Sequence, residues 1–315
     1  MKLGKHFATL LPYLALLLAH LIWGANFVVA KFALNEFPIM SLSFLRFSLA
    51  CLLIAPFLIN LKSRETFIRY KDVPLLFVFG ITSITLSLVF FYEGLQRTTA
   101  INASVLSLIV PVFSVLAGWW FFKEKVFIVN LFGIFFGLLG GVVILGLPLI
   151  FLGSFSTNTL VGDLLILMAG IFGVIGGIFS IRVLKKYTVV VATGVAFLVG
   201  VLTFLIPATK DYLYNPGWIS AVTILGFLSL LYITILSTIV AFFLYNWGLV
   251  RKGIVKANLF VYIEPAVAAT LAVFILSERI SFSFIIGTIL IVLGVYWGTL
   301  GKPHHQQLQH RHHRI

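Results

Sequence analysis

Charge and cysteine are both scarce in this sequence. Only 10% of its 315 residues are charged and 61% are hydrophobic, a composition far more apolar than that of an ordinary water-soluble domain. The single cysteine, Cys51, lies inside an apolar run, so the chain cannot form an intramolecular disulfide. These shortages exclude a disulfide-stabilised domain and favour a chain whose surroundings are mostly lipid.

Motifs for common enzyme chemistries are also missing. The sequence contains no GxxxxGK[ST] loop for nucleotide phosphates, since Gly4-Lys5 and Gly301-Lys302 both lack its context. It contains no HExxH, CxxC or GxSxG motif either. ATP hydrolysis by this chain is therefore excluded, no cofactor or metal site is predicted, and a membrane-embedded enzyme is a remote alternative.

Long apolar runs dominate the rest of the sequence. A bilayer core takes about 20 apolar residues per helical span, and lipid offers no partner to the unpaired backbone groups of an open strand. Ten such runs occur, at 10–32, 38–59, 73–95, 100–122, 127–149, 160–181, 189–208, 219–249, 257–276 and 282–300. They predict an all-α integral membrane protein with ten transmembrane helices, and the first is retained because no small-residue cleavage pattern follows it.

The basic residues give these spans a direction. Of the 22 Lys and Arg residues, 17 lie in one alternating set of connections that includes both ends of the chain, and 4 lie in the other set. Positively charged segments stay on the cytoplasmic side. Both termini are therefore predicted to be cytoplasmic in a multi-pass protein of the inner (plasma) membrane. The same distribution explains the formal net charge of +13, so nucleic acid is not predicted as a partner.

The two halves of the chain resemble each other. Sliding the sequence by 154 residues places Pro111 on Pro265 and also pairs glutamates, glycines and basic residues. Residues 1–150 and 151–301 are predicted to be two five-helix repeats, followed by a basic, His-rich cytoplasmic tail at 302–315. Because five is odd, the second repeat is inverted, which favours alternating access around a midplane site. A duplication kept for stability in a channel or an enzyme is the alternative.

Several short motifs carry a resemblance to a known family. They are Trp23-Gly24-Ala25-Asn26-Phe27, Leu45-Arg46-Phe47, Pro111 followed by Lys123-Glu124-Lys125, Gly162-Asp163, and Glu264-Pro265 followed by Ser277-Glu278-Arg279. Over essentially its whole length the chain resembles EamA-type members of the drug/metabolite transporter superfamily. The resemblance implies a ten-helix exporter or importer of amino acids and related metabolites, without fixing the substrate. One departure is Phe172-Gly173, where members often have a Trp-Ala pair, which leaves the role of the sixth helix in the pocket open.

The resemblance also implies that helices 1, 3, 4, 8 and 9 border a central cavity. The polar and aromatic residues on these helices are the candidate substrate-binding residues: Trp23, Asn26, Tyr92, Ser107, Tyr245, Asn246, Trp247, Asn258 and Tyr262. Aromatic walls with a few amide and hydroxyl groups suit a small amphipathic solute. For Tyr92 and Trp247, which lie near predicted helix ends, a place in the interfacial aromatic belt is the alternative.

Two charged residues are predicted inside the membrane. Glu264 is deep enough in the ninth helix that an unpaired charge would be costly. It is therefore either a proton-coupling or substrate-ammonium site, or a structural carboxylate bonded to a neighbouring helix. Arg46 lies in the second helix, with Glu93 and Glu36 as candidate partners, and a structural ion pair is the preferred interpretation.

Pro111 and Pro265 are candidate hinges at equivalent places in the two repeats. Each proline lacks a backbone donor and clashes with the carbonyl four residues earlier. The carbonyls of Ser107 and Val261 are therefore expected to be freed and to line the substrate cavity, with a plain packing kink as the alternative. His20, on an apolar face, is interpreted as a hydrogen-bonded core histidine rather than a ligand.

These features predict a secondary transporter that moves small metabolites across the inner membrane by alternating access. Export of amino acids or related zwitterions is the first choice, because Glu264 and amide donors suit a zwitterion, whereas Arg46 alone is too little positive charge for a strongly anionic solute. An uptake or exchange carrier for a nucleotide-like or cofactor-like metabolite is the alternative, and a channel is a remote one. The sequence leaves open the energy coupling and the oligomeric state.

Overall fold

The computed structural model describes residues 2–59, 68–123, 126–144, 157–276 and 282–299. Over these residues the regular structure is entirely helical, as predicted. The tail predicted at 302–315 and the motif residues Glu124 and Glu278 lie outside the described residues.

The helices, numbered in chain order, follow one another through short connections. Their bounds are α1 Lys2–Glu36, α2 Ile39–Ile59, α3 Val73–Gly80 with Ile81–Leu86 and Ser87–Arg97, α4 Ala100–Leu106 with Ser107–Ile109 and Val110–Phe122, α5 Ile128–Ile144, α6 Thr157–Leu184, α7 Val189–Tyr214, α8 Ile224–Tyr232 with Ile233–Val240 and Ala241–Lys252, α9 Ile254–Asn258 with Leu259–Ile263 and Glu264–Leu276, and α10 Phe282–Thr299. A 3₁₀ turn, Tyr70–Asp72, leads into α3, and a short helix, Trp218–Ala221, precedes α8.

Seven helices within the described residues are long and apolar enough to cross a membrane. They are Leu10–Glu36, Ile39–Ile59, Tyr70–Arg97, Val161–Leu184, Val189–Tyr214, Ile224–Lys252 and Ile254–Ile275. Three shorter apolar helices, Phe113–Phe122, Ile128–Gly140 and Ile285–Gly294, fall within the other predicted runs. Large apolar side chains such as Leu52 and Phe274 are exposed on the outer surface, where a soluble protein carries more polar groups. The structure therefore describes a multi-pass membrane protein, and the total of ten spans stays a prediction.

Local sequence signals explain where several helices begin and end. The hydroxyl groups of Thr99, Thr188 and Thr223 accept hydrogen bonds from the first turns of α4, α7 and α8, as side chains at a helix N-cap do. α8 ends at Lys252 because Gly253 adopts a φ of 83°, which only glycine adopts without strain. Threonine caps and a glycine with positive φ therefore fix where these helices begin and end.

Four helices contain an irregular segment, and the four segments occupy equivalent places in the two halves. α3 and α8 each contain a π-helical stretch, Ile81–Leu86 and Ile233–Val240. α4 and α9 each contain a 3₁₀ stretch, Ser107–Ile109 and Leu259–Ile263. Because π segments are rare and frequently mark functional sites, the space between these four segments is a candidate functional site.

The 3₁₀ segments correct one expectation about the prolines. Pro111 and Pro265 are each the second residue of the α-helical segment that follows, where the missing N–H interrupts nothing. The carbonyl of Ser107 accepts the N–H of Val110, and the carbonyl of Val261 accepts that of the next helical segment's first residue. The expectation that the carbonyls of Ser107 and Val261 are free was therefore wrong. Each carbonyl accepts a hydrogen bond from the residue three positions later, which replaces the α-helical bond that the proline cannot donate.

Packing between the helices follows a regular pattern. α2 packs against α7, α4 against α9, and α5 against α10. α1 packs against α8 and α9, and α6 packs against α3 and α4. Close approach is possible where glycine lies at the contact, because a Cβ added to Gly24 would lie 2.8 Å from Cβ of Val267 and 3.1 Å from Cα of Glu264. Gly24 therefore sets the distance between α1 and α9.

The contact between α6 and the π segment of α3 gives a test of this packing. A Cβ added to Gly176 would lie 2.3 Å from Oγ of Ser83 and 2.7 Å from its Cα, and the backbone cannot yield as a flexible side chain does. Gly176→Ala is expected to destabilise the protein by about 1–3 kcal/mol through overpacking, measured as a lower Tm in detergent. Gly173→Ala is the matched control, because its Cβ would meet only Oγ of Ser87 at 3.6 Å. Equal Tm values for the two variants would contradict the described contact.

Candidate functional site

A cavity of about 250 Å³ lies between the two halves of the molecule. Side chains from α1 to α4 and from α6 to α9 line it, and all four irregular helix segments contribute residues to its wall. Its lining is largely apolar and aromatic with a few polar groups, the composition typical of sites for small molecules. The cavity is therefore the candidate binding site of the molecule.

A histidine and a glutamate form a bonded pair on one side of this cavity. Nδ1 of His20 in α1 lies 2.7 Å from Oε1 of Glu264 in α9, and the two residues are only 1% and 5% exposed. The close approach of α1 and α9 at Gly24 brings the pair within reach. The ring of His20 also makes edge contacts with Trp23 and Tyr245, with ring centroids 5.3 and 6.0 Å apart. The predicted buried carboxylate is therefore paired, and its partner is the predicted core histidine.

A buried arginine also lines the cavity. Nη1 of Arg46 donates to the hydroxyl of Tyr92 at 2.8 Å, and its Nε donates to Oγ1 of Thr238 in the π segment of α8. The predicted partners of Arg46 were wrong. Glu93 instead pairs with Arg97 one turn further along α3, at 2.5 Å, and Glu36 accepts hydrogen bonds from the backbone N–H and hydroxyl of Thr223.

The chemistry of Arg46 follows from these partners. Phenol and threonine hydroxyl groups hold its guanidinium in place without neutralising its charge. Among the described residues no carboxylate lies within ion-pair distance of Arg46. A buried cation without a counter-ion is costly, so this position is suited to an anionic group that enters the cavity.

Hydrogen bonds also link polar groups of α4, α6, α8 and α9 at the cavity wall. The hydroxyl of Tyr245 donates to Oδ1 of Asn258 at 2.7 Å, and Nδ2 of Asn258 donates to Oγ of Ser114 at 2.6 Å. The hydroxyl of Ser180 donates to Oδ1 of Asn246 at 2.6 Å. These bonds join α8 to α9, α9 to α4 and α6 to α8, so two of them fix helices within the second half and the bond from Asn258 to Ser114 ties that half to the first.

The structure brings most of the predicted site residues together. Those that line the cavity are Trp23, Asn26, Arg46, Ser107, Tyr245, Asn246, Asn258 and Glu264. The lining also contains residues of α6, including Phe172's neighbours Gly170 and Gly173. The sixth helix therefore does take part in the pocket, although it has Phe172-Gly173 where members of the family often have a Trp-Ala pair.

Three predicted substrate-binding residues lie outside the lining. Tyr92 is fully buried behind the cavity and supports Arg46. The ring of Trp247 lies under the guanidinium of Arg251, 4.0 Å from its centroid, away from the cavity. Tyr262 is fully buried, with its hydroxyl 3.5 Å from the carbonyl oxygen of Ile134. Their positions on the helices turn these side chains away from the cavity, which sequence spacing alone did not indicate.

Two functional candidates were missed at the level of sequence. His20 had a signal, because it is the only histidine inside an apolar run and lies three residues before Trp23 on the same helix. Ser237 had none, because nothing in the sequence marks the π segment that contains it. The carbonyl of Ser237 accepts the indole N–H of Trp23 at 3.0 Å, which joins α1 to α8.

Comparison with known proteins identifies the family. Two segments of the chain, residues 10–146 and 160–299, match the EamA-like transporter family. This chain belongs to that family. An uncharacterized transporter of Archaeoglobus fulgidus is 30% identical over 293 residues, which cover 93% of this chain and 98% of the relative. The uncharacterized transporter YetK of Bacillus subtilis is 25% identical, with 92% of this chain and 87% of YetK covered.

A solved structure shares the fold of this EamA-like chain. It is a crystal structure of a protein 21% identical in sequence, which superposes with a TM-score of 0.73 and covers 92% of this chain and 98% of its own. The chain is therefore a membrane transporter of the EamA-like family with the fold of that structure. The family segments lie one in each half of the chain, on either side of the cavity.

The His20 and Glu264 pair can be tested by a double-mutant cycle. His20→Phe leaves the buried carboxylate without its partner, and Glu264→Leu leaves the ring nitrogen without its own, so each is expected to lower the free energy of unfolding by about 1–3 kcal/mol. The loss of unfolding free energy in the double variant should be smaller than the sum of the two single losses, by a coupling energy of about 1–3 kcal/mol. Thermal unfolding in detergent measures these losses. His20→Phe combined with Glu93→Gln is the control and should be additive. Additivity in the first cycle would contradict the bond.

Proposed function

We propose that this chain is a secondary transporter that exports amino acids or related zwitterions across the inner membrane by alternating access. The observation that carries the proposal is a single small cavity holding one buried cation, Arg46, and one buried carboxylate, Glu264, with no ion pair between them. The two residues belong to different halves of the chain. A zwitterion that binds both of them therefore also bridges the halves.

The chemistry of the two charged residues suits the two ends of an amino acid. The guanidinium of Arg46 donates to two hydroxyl groups and lies 5.3 Å from the ring centroid of Phe47, and none of these contacts neutralises the charge that it offers to a carboxylate. Glu264 accepts from His20 through one oxygen, Oε1, and its carboxylate can accept further bonds from an ammonium group. A substrate without a carboxylate would leave Arg46 without a counter-ion, and one without an ammonium group would leave Glu264 with His20 as its partner and its second oxygen unused, which favours solutes that carry both charges.

The helix packing supports two inverted five-helix repeats, 1–150 and 151–301, in a ten-span chain. If α1 to α5 correspond to α6 to α10, the contact of α1 with α8 corresponds to that of α6 with α3, and the contact of α1 with α9 to that of α6 with α4. The pairs α2 with α7, α4 with α9 and α5 with α10 correspond to themselves. An arrangement of this kind lets each half take the conformation of the other, which is the basis of alternating access around a fixed site.

The irregular helix segments are the proposed places of movement. Segments with π or 3₁₀ bonding lack the uniform ladder of an α-helix, and hinges are often short stretches that absorb a change in backbone angles. The stretches Ile81–Leu86 and Ile233–Val240 both contribute residues to the lining of the cavity. In this proposal Pro111 and Pro265 fix the beginning of the helical segments that swing as units.

An aromatic surface in the cavity favours a second candidate. The rings of Trp23 and Tyr245 lie 5.2 Å apart between centroids at an angle of 54°, and together they offer faces on which a planar heterocycle could stack. Uptake or exchange of a nucleotide-like or cofactor-like metabolite is therefore the alternative function. Among the residues that line the cavity Arg46 is the only Lys or Arg, so a multiply charged phosphate would be poorly neutralised, which ranks this candidate second.

Counterflow in proteoliposomes tests the main proposal. Purified protein is reconstituted with unlabelled amino acids inside, and uptake of labelled amino acid is followed without any imposed gradient. A carrier gives transient accumulation that saturates with concentration, whereas a channel gives simple equilibration. Accumulation with amino acids and none with nucleosides or flavins supports the first candidate, and the reverse pattern supports the second.

Glu264 provides the matching variant test. Glu264→Gln keeps the shape and one hydrogen-bond acceptor but removes the negative charge, so counterflow of zwitterions is expected to fall by about tenfold or more. Glu93→Gln removes a carboxylate that is paired with Arg97 outside the cavity, and it should retain near-normal transport. If Glu264→Gln transports with an unchanged rate and an unchanged pH dependence, Glu264 takes no part in substrate binding or in proton coupling.

The proposed orientation, with both termini cytoplasmic, can be tested by labelling. Since Cys51 is the only cysteine, Cys51→Ser gives a cysteine-free background into which Lys185→Cys or Ser220→Cys is introduced. Lys185 follows the end of α6 and Ser220 precedes α8, and both residues are exposed. In right-side-out cells a membrane-impermeant maleimide should label S220C and not K185C. Labelling of K185C alone would mean the opposite orientation.

A further inference from the structure

Unpaired polar atoms are concentrated at the cavity. Within the described residues, seven side-chain nitrogen or oxygen atoms are buried without a hydrogen-bond partner. Three of them, Nε2 of His20, Oδ1 of Asn26 and Oγ of Ser237, belong to residues that line the cavity. The parent side chains are themselves more than nine-tenths buried, with exposures of 1%, 6% and 1%. A buried polar atom without a partner is unfavourable, so three in one wall call for a ligand that completes their bonding.

The three residues belong to one surface. His20, Trp23 and Asn26 are spaced by three residues along α1 and therefore lie close to one face of that helix. Ser237 of α8 lines the same cavity and adjoins Trp23, since its backbone carbonyl accepts the indole N–H of Trp23 at 3.0 Å. Trp23 thus lies at the centre of a polar subsite formed by His20, Asn26 and Ser237, and its ring contacts the ring of Tyr245.

The bonding state of each atom defines the ligand chemistry. In the neutral tautomer of His20 whose Nδ1–H is donated to Oε1 of Glu264, Nε2 carries a lone pair and acts as an acceptor. Oδ1 of Asn26 is an acceptor, and the hydroxyl of Ser237 can accept as well as donate. Each of the three unpaired atoms can therefore accept a hydrogen bond, and a hydroxyl or amide group of a bound solute would supply the donor.

We infer that this polar subsite selects amino acids whose side chain carries an uncharged hydrogen-bond donor, a hydroxyl or a carboxamide, over apolar side chains of the same shape. The inference rests on the proposed function, because Arg46 and Glu264 are assigned to the carboxylate and the ammonium group, which leaves the side chain to the subsite. An apolar side chain of equal size would fill the space but leave all three buried polar atoms unpaired. Sites built to bond a substrate hydroxyl discriminate strongly against the analogue that lacks it.

Pairs of isosteric amino acids test the inference directly. Threonine and valine have the same shape and differ in a hydroxyl, and asparagine and leucine are similar in size and differ in the carboxamide. In the counterflow assay with unlabelled competitors, threonine and asparagine are expected to compete at concentrations about tenfold or more below those of valine and leucine. A higher Tm of the purified protein with threonine than with equal valine is the second readout.

Two serine variants locate the selectivity. Ser237→Ala removes one unpaired hydroxyl of the subsite, and the ratio of threonine to valine affinity should fall by about threefold or more. Ser48→Ala removes a hydroxyl that is also buried and unpaired but does not line the cavity, so the ratio should stay that of the wild type. A fall of the ratio in Ser237→Ala alone supports the subsite, and an equal fall in both variants overturns it.

The outcomes separate this inference from the proposed function. If amino acids exchange but valine and leucine compete as well as threonine and asparagine, the inference is wrong, because water or a conformational change satisfies the three atoms, while the proposed function stands. If no amino acid exchanges although the protein is folded and a heterocyclic metabolite does, both are wrong.

Discussion

A polar group buried in a membrane protein has to find its hydrogen-bond partner within the protein, because the hydrocarbon around the helices offers none. The bond from His20 to Glu264 meets this constraint between residues 244 positions apart in sequence, and the bond from Arg46 to Thr238 does so across 192 positions. Each bond also ties one half of the chain to the other. The groups that make the cavity polar are therefore the same groups that hold its walls together.

Irregular helix geometry is what allows this arrangement. In the π segment of α8, the hydroxyl of Thr238 donates to the carbonyl of Ile233 five residues earlier, at 2.8 Å, while accepting from Arg46. In α4 and α9 the 3₁₀ stretches let Pro111 and Pro265 begin a new helical segment without losing a backbone bond. The π and 3₁₀ segments within α3, α4, α8 and α9 each contribute residues to the cavity wall.

The fold was more predictable than the site, for a physical reason. Apolar runs report the lipid-exposed length of a helix, so the predicted run 38–59 matches α2 closely. The predicted run 189–208, however, ends before the end of α7. α7 continues to Tyr214 because Asp211 is used as the acceptor for the N–H and hydroxyl of Ser41. The run 219–249 missed the break before α8, because a threonine cap is a weak signal within an apolar stretch.

The site depends on how each helix is rotated about its axis, which composition does not report. Glu93 is near enough in sequence to be proposed for Arg46, yet it turns toward Arg97 on its own helix. The role of Glu264 as a buried, bonded carboxylate could be predicted, because an unpaired charge there is so costly. The partner of Glu264 could not be predicted, because only the contact of α1 with α9 at Gly24 brings His20 next to it.

The backbone irregularities of this molecule are symmetric between its two halves, whereas its polar side chains are not. The backbone irregularities occur in matching pairs, π in α3 and α8 and 3₁₀ in α4 and α9, and matched halves are what two conformations of similar energy require. The polar side chains are not matched, since Glu264 corresponds to Val110 in the first half. A carrier whose two halves presented the same groups would bind a symmetric solute best. With the carboxylate of Glu264 in one half and the guanidinium of Arg46 in the other, the cavity presents different charges from its two halves, which suits a solute with two different ends.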